Sequence, residues 1–106
     1  MKVGRHFRLT PEAKLIVGRN KDENEVIKSL VIDEDIVFEA KDHVGPTCIL
    51  RGIHSSELLA RCVSIALRYS DAPKHVESKV IITIKGKQSE TAAIPVKSSD
   101  ADALRI

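Results

Sequence analysis

Aromatic residues are nearly missing from this chain of 106 residues: two Phe, one Tyr and no Trp, 3 % of the total. So few rings exclude a surface that stacks a run of nucleic-acid bases on aromatic side chains. Cysteine is equally sparse. Cys48 and Cys62 form no C-x-x-C, so neither a zinc knuckle nor a redox pair is indicated. Cys48 falls in an apolar strand and Cys62 on an apolar helix face, so both are expected to be buried, unpaired small hydrophobes, kept reduced in a cytoplasmic protein. The four histidines, at 6, 43, 54 and 75, lack metal-ligand spacing, and no metal is expected. His54 reads as a loop residue before a helix. Gly-rich phosphate cradles of the G-x-x-x-x-G-K-[ST] and G-x-G-x-x-G kinds are absent, and so is a G-x-S-x-G elbow. The expectation is a protein without cofactor or catalytic centre. No apolar run approaches the roughly 20 residues of a membrane span, and residues 1–6 hold no apolar signal core. No membrane contact is expected, and the location expected is the cytoplasm.

What is present is charge, and its arrangement. Charged residues make up 30 % and apolar residues 42 %, the balance of a soluble globular domain. The length suits one domain over residues 1–106, a monomer with a core that needs no staples. The net charge is only +2, yet residues 1–21 carry a local +5, residues 22–44 a local −6 and residues 45–97 a local +4. Such segregation sets a basic face against an acidic one and orients a polyanion, unless the blocks interleave in three dimensions and cancel.

The sharpest local feature is Ile16-Val17-Gly18-Arg19-Asn20, with Asn24 following. A short apolar strand ends in Gly18, and Asn20 is a good N-cap for a helix with Glu23 at the capping-box position. Arg19 then stands beside a helix N-terminus, where free N–H groups favour an anion. The plain alternative is a well-capped helix start that binds nothing. Asn24, on the rim of the apolar face, has two roles open: a hydrogen bond to the preceding hairpin, or one to a base.

Coarse periodicity gives the order ββαββαββ. Residues 7–9 and 14–18 form a hairpin around Pro11. A helix runs over residues 21–31 with Val26, Ile27, Leu30 and Val31 on one face. Strands follow at 36–40 and 47–50. A second helix runs from Ser55 or Ser56 to about Tyr69, with Leu58, Leu59, Cys62, Val63, Ala66 and Leu67 inward. Arg61 and Arg68 lie on its opposite, solvent-facing stripe, on the same basic surface as Lys79. Residues 79–85 form a β-branched central strand. Residues 85–89 are a turn, 92–96 an edge strand marked by Pro95, and 98–106 a polar tail. With only two helices the class is α+β, a mainly antiparallel sheet with both helices packed on one side.

Three blocks in this order also carry a resemblance. Val17-Gly18-Arg19-Asn20 with Asn24 and Leu30 is similar to the GRN…N…L signature of the NFACT-R domain, the RNA-binding module of the NEMF/FbpA/Caliban type proteins. The stretch from Asp35 to Arg51 resembles that family's strand–turn–strand, and Ala66-Leu67-Arg68-Tyr69-Ser70-Asp71-Ala72 with Ser78-Lys79-Val80 resembles its helix end and next strand. The blocks cover about residues 15–85. Val37 stands where the family has an aromatic, Glu39 where it has His, and Val44-Gly45-Pro46-Thr47 replaces its Pro-Gly-Ser-His turn. In this the chain looks like a divergent branch attached to bacterial proteins related to tRNA 4-thiouridine synthetases. The resemblance implies a non-catalytic RNA-binding module, with tRNA as partner. It would be an accessory to an ATP-using thiolation domain, either as a whole gene product or as the C-terminal module of a larger protein. The residues expected to contact RNA are Arg19, Asn20 and Asn24 at the corner, His43 and Arg51 near the strand turn, and Arg61, Arg68 and Lys79 beyond. Two rivals stand beside it. One is a protein-interaction domain that docks a basic partner on the acidic 22–44 block. The other is a sulfur carrier, which needs an exposed cysteine of lowered pKa.

Overall fold

The computed structural model describes residues 3–52, 55–96 and 103–104. Eight elements run in the order ββαββαββ: β1 Arg5–Thr10, β2 Ala13–Val17, α1 Lys21–Ser29, β3 Ile36–Ala40, β4 Cys48–Gly52, α2 Ser56–Arg68, β5 Ser78–Ile84 and β6 Lys87–Ala93. The strands form one six-stranded sheet ordered β1-β2-β4-β3-β5-β6, and every neighbouring pair is antiparallel. The α+β class and the element order are those expected from the sequence.

Alternation along the strands divides the sheet. Phe7, Leu15, Val17, Cys48, Leu50, Ile36, Phe38, Val80 and Ile82 point to one face and bury themselves under α2, whose Cys62, Val63, Ala66 and Leu67 complete the core. Residues of the opposite parity belong to the other face, and α1 sits there. Lys28 Nζ of α1 lies 3.7 Å from Glu39 Oε2, Arg51 Nη2 donates to the Leu30 carbonyl at 3.1 Å, and Ile27 is as deeply buried as Ile49. The helices therefore flank the sheet instead of sharing one side. The physical reason lies in the sheet: Val37 and Ile49 put apolar groups on the face away from α2 as well, so both faces need cover, and α1 buries its Ile27 on that second face.

Most elements shift from their expected bounds by a residue or two, and α1 and the last strand are the shifts with a clear cause. α1 ends at Ser29, because Ser29 Oγ turns back to the Val26 carbonyl at 2.6 Å and the Leu30 N–H bonds the Ile27 carbonyl as a cap. Leu30 and Val31, expected to continue the inward face, are exposed. The last strand lies earlier than expected, over Lys87–Ala93, and Pro95 falls beyond it. Lys85 and Gly86 have φ of 50° and 80° and join Ile84 to Lys87 in the ladder, a two-residue hairpin turn of the primed kind. The polar run after that turn forms an edge strand with little to bury, so it lacks the alternation that marks a strand in sequence. The expected polar tail lies largely outside the described residues, as does His54; of the tail, Leu104 packs partly buried against the core.

Candidate functional site

Strand β2 delivers the chain to a corner at Gly18. Its N–H donates to the Thr47 carbonyl at 3.0 Å, and Asn24 Oδ1 accepts from the Thr47 N–H at 3.1 Å. Asn24 passes so close that a Cβ on residue 18 would collide with its Oδ1, so glycine is required there by close approach. The structural role left open for Asn24 is filled, with the β3–β4 turn as partner in place of the hairpin.

Asn20 caps α1: its Oδ1 accepts from the Glu23 N–H at 2.9 Å. The Glu23 carboxylate, expected to return to the cap, instead gathers the corner. It accepts from the Arg19 N–H at 2.9 Å, from Arg19 Nε at 2.9 and 3.2 Å, from Arg19 Nη2 at 2.7 Å and from the Gly4 N–H at 3.1 Å. The hydrogen bond from Arg19 leads the forces that hold the Glu23 pKa down to about 2, against the opposing effect of burial. Arg19 is raised in turn by the same hydrogen bond. Its side chain stays half-exposed, and Nη1 takes no part in the bonds to Glu23. Arg19 is thus a clamped cation, not a free one.

Beside this corner lies a groove of about 430 Å³. Its lining comes from three parts of the chain: Gly18–Lys21 and Asn24 of the corner, Val44–Pro46 of the turn between β3 and β4, which forms a rim, and Arg5, Tyr69 and Asp71. The rim is pinned, since the Asp71 N–H donates to the Val44 carbonyl at 2.7 Å. The Arg5 guanidinium carbon stands 4.7 Å from the centre of the Tyr69 ring, and Phe7 backs the same ring at 5.8 Å with 45° between the planes.

The groove collects Arg19, Asn20 and Asn24 from the expected contacts. His43 adjoins its rim but is not part of its lining. Arg51 stands elsewhere, in a bidentate pair with buried Asp35 at 2.7 and 3.0 Å. Arg61 is exposed on α2 and pairs with Glu57 at 3.7 Å. Arg68 is half-buried at the end of α2, near Lys74 Nζ, which donates to the Arg68 carbonyl at 2.7 Å. Lys79 projects from the sheet face opposite α2, because Val80 points inward. The expected shared surface for Arg61, Arg68 and Lys79 is therefore not formed: strand alternation separates Lys79 from the two arginines.

Arg5, Lys21 and Tyr69 were not among the expected contacts. Tyr69 did carry a signal, being the one tyrosine inside a block that resembled a known family. Arg5 offered only the signal of a cation flanking Phe7 in the first strand, and the pairing of β1 with β2 is what brings it to the corner. Both cysteines are buried and free, and burial pushes the Cys62 thiol up to about 12 and Cys48 higher still. That is the reverse of what a sulfur carrier requires. Among the described residues no group of three His, Cys, Asp or Glu is placed to hold a metal, and no helix is long and apolar enough to cross a membrane.

Comparison with known proteins gives two findings. A family model described as the NFACT protein RNA binding domain matches residues 4–105. The C-terminal part of the fibronectin/fibrinogen-binding protein of Streptococcus suis has a similar fold, with a TM-score of 0.83 at 18 % identity. The alignment covers 100 % of this chain and 50 % of that one, so the chain spans half of that structure. No curated protein matches the sequence.

Proposed function

The chain belongs to the NFACT protein RNA binding domain family, and from that premise we propose that its groove at the Gly18 corner is the RNA-contacting site of a non-catalytic module. One observation carries the reading. The three sequence blocks that resemble the family lie far apart in the chain, yet residues from each of them line this one groove, and Arg5, Arg19 and Lys21 give it three cations. Preorganised cations on a rigid rim suit phosphate, and the α1 N-terminus adds its dipole.

The finer reading extends this. The RNA is tRNA, bound in the cytoplasm. The module spans residues 1–106 as one domain and works as an accessory to an ATP-using thiolation domain, in cis or in trans. Support for this part is the likeness of residues 15–85 to the divergent branch, above all Val37, Glu39 and the Val44–Thr47 turn. Arg19, Asn20 and Asn24 are the central contacts. His43 serves at the rim, and Arg51, Arg61, Arg68 and Lys79 are outlying contacts at most.

The test is a titration of labelled tRNA with wild-type protein and with Arg19→Ala at low salt. Arg19→Ala is expected to weaken binding by about tenfold, on the scale of one charged hydrogen-bonded contact, with the fold intact by circular dichroism. Failure of the wild type to bind any RNA overturns the reading; an unaffected Arg19→Ala moves the site away from this corner.

A further inference from the structure

We propose that the groove is a subsite for one unpaired RNA nucleotide, with its phosphate at Arg19 and Lys21 and its base against Tyr69 and Arg5. The inference rests on the RNA reading above and narrows it to single-stranded or looped RNA.

The lining combines two chemistries, as a nucleotide does: Arg19 and Lys21 at the start of α1 are cationic, while Tyr69, Val44 and Asp71 bring a ring, an aliphatic group and a carboxylate. A carboxylate such as Asp71 repels a phosphate and accepts hydrogen bonds from a base edge. Val44 is 78 % exposed, an apolar surface on a pinned rim and available to a planar ligand. Size agrees. A volume of about 430 Å³ far exceeds a phosphate, which displaces a few waters of roughly 30 Å³ each, and falls in the range of small-ligand sites.

Tyr69 is held ready for the base. Fully buried Phe7 backs its ring, and Arg5 lies over it. A guanidinium fixed on an aromatic ring offers the same kind of stacking surface that unpaired bases use elsewhere. In a duplex the base faces are covered by their neighbours, and only phosphates, sugars and edges are within reach. A chain with three aromatic residues in all does not stack a run of bases, but one nucleotide needs one stacking surface, and the Arg5 guanidinium held on Tyr69 is that surface.

The chain has a single tyrosine, so fluorotyrosine labelling gives one fluorine NMR resonance that reports on the groove alone. The labelled protein is titrated with a short oligoadenylate, a blunt RNA duplex and inorganic triphosphate, and binding is followed in parallel by anisotropy. The oligoadenylate is expected to shift the resonance in step with binding, while the duplex and triphosphate leave it in place. Arg5→Gln, a change outside the core, is expected to weaken oligoadenylate binding about tenfold and duplex binding less than twofold. Oligoadenylate that binds without moving the resonance, or an equal loss for both RNAs in Arg5→Gln, overturns the subsite and leaves the RNA reading standing. Absence of all RNA binding overturns both.

Discussion

Glu23 and Asp35 are two carboxylates with two arginine partners, and each pair governs stability in its own way. Glu23 is held down to about 2 in the folded chain, from an ordinary value of 4.5. A depressed carboxylate contributes stability that is complete above about 4.5 and is lost as pH falls toward 2. Urea unfolding between neutral pH and pH 2 should show this loss, and Glu23→Gln should flatten part of it; a variant with the same acid slope as the wild type argues against the role. For Asp35, burial alone would raise the pKa, but the hydrogen bonds from Arg51 and the Ile32 N–H and the Arg51 charge outweigh it. The Asp35 side chain is fully buried and Arg51 is half-exposed. Arg51→Ala leaves the carboxylate buried with only the Ile32 N–H at 3.0 Å. It should destabilise the fold by about 1–3 kcal/mol and leave RNA affinity per folded molecule unchanged. Denaturant melts alongside binding assays separate the two effects.

At the scale of elements, legibility in sequence followed burial. β5 and α2 were plain because β5 is β-branched from Val80 to Ile84 and the inner stripe of α2 packs on the core. The Gly18 corner was plain because its cap residues act locally. What failed was the edge. β6 is polar from Lys87 to Thr91, packs only Ala93 on the core, and takes its register from the Lys85–Gly86 turn. α1 looked longer because Leu30 and Val31 continue the apolar spacing, although both side chains are exposed. Helix sides were illegible because the choice depends on which parity of β4 and β3 each helix covers. Part of the site was legible: the corner residues adjoin in sequence, whereas Arg5 and Tyr69 meet only through the sheet. The turn offers a direct check. Lys85 carries a positive φ of 50°, a conformation that asparagine tolerates better than lysine. Lys85→Asn should raise stability by about 0.5–1 kcal/mol, read as a higher melting temperature. No gain, or a loss, would mean that the lysine side chain stabilises the hairpin in some other way.

Over the whole molecule, the charge blocks neither separate cleanly nor cancel. The acidic block is partly spent inside the fold, with Glu23 on Arg19, Glu39 beside Lys28 and Asp35 on Arg51. Lys41 is likewise engaged by Glu90 at 2.8 Å. The cations not used in such pairs include Arg5 and Lys21, and these border the groove with Arg19. A site of three cations displaces few counterions, so the salt response should be modest. Three phosphates on a single strand would give a log–log slope near −2, at about −0.7 per phosphate. With Arg5 engaged by the base and Glu23 balancing Arg19, that slope is an upper limit. Affinity for single-stranded RNA measured between 50 and 200 mM salt should then fall by no more than roughly 16-fold. A slope steeper than about −5 would require cations far beyond the groove, such as Arg61 and Arg68, and would shift the interface onto α2. A slope near zero would remove phosphate contact from the account altogether, and the acidic, apolar end of α1, where Val26, Leu30 and Ile32 are exposed, would become the surface to examine for a protein partner.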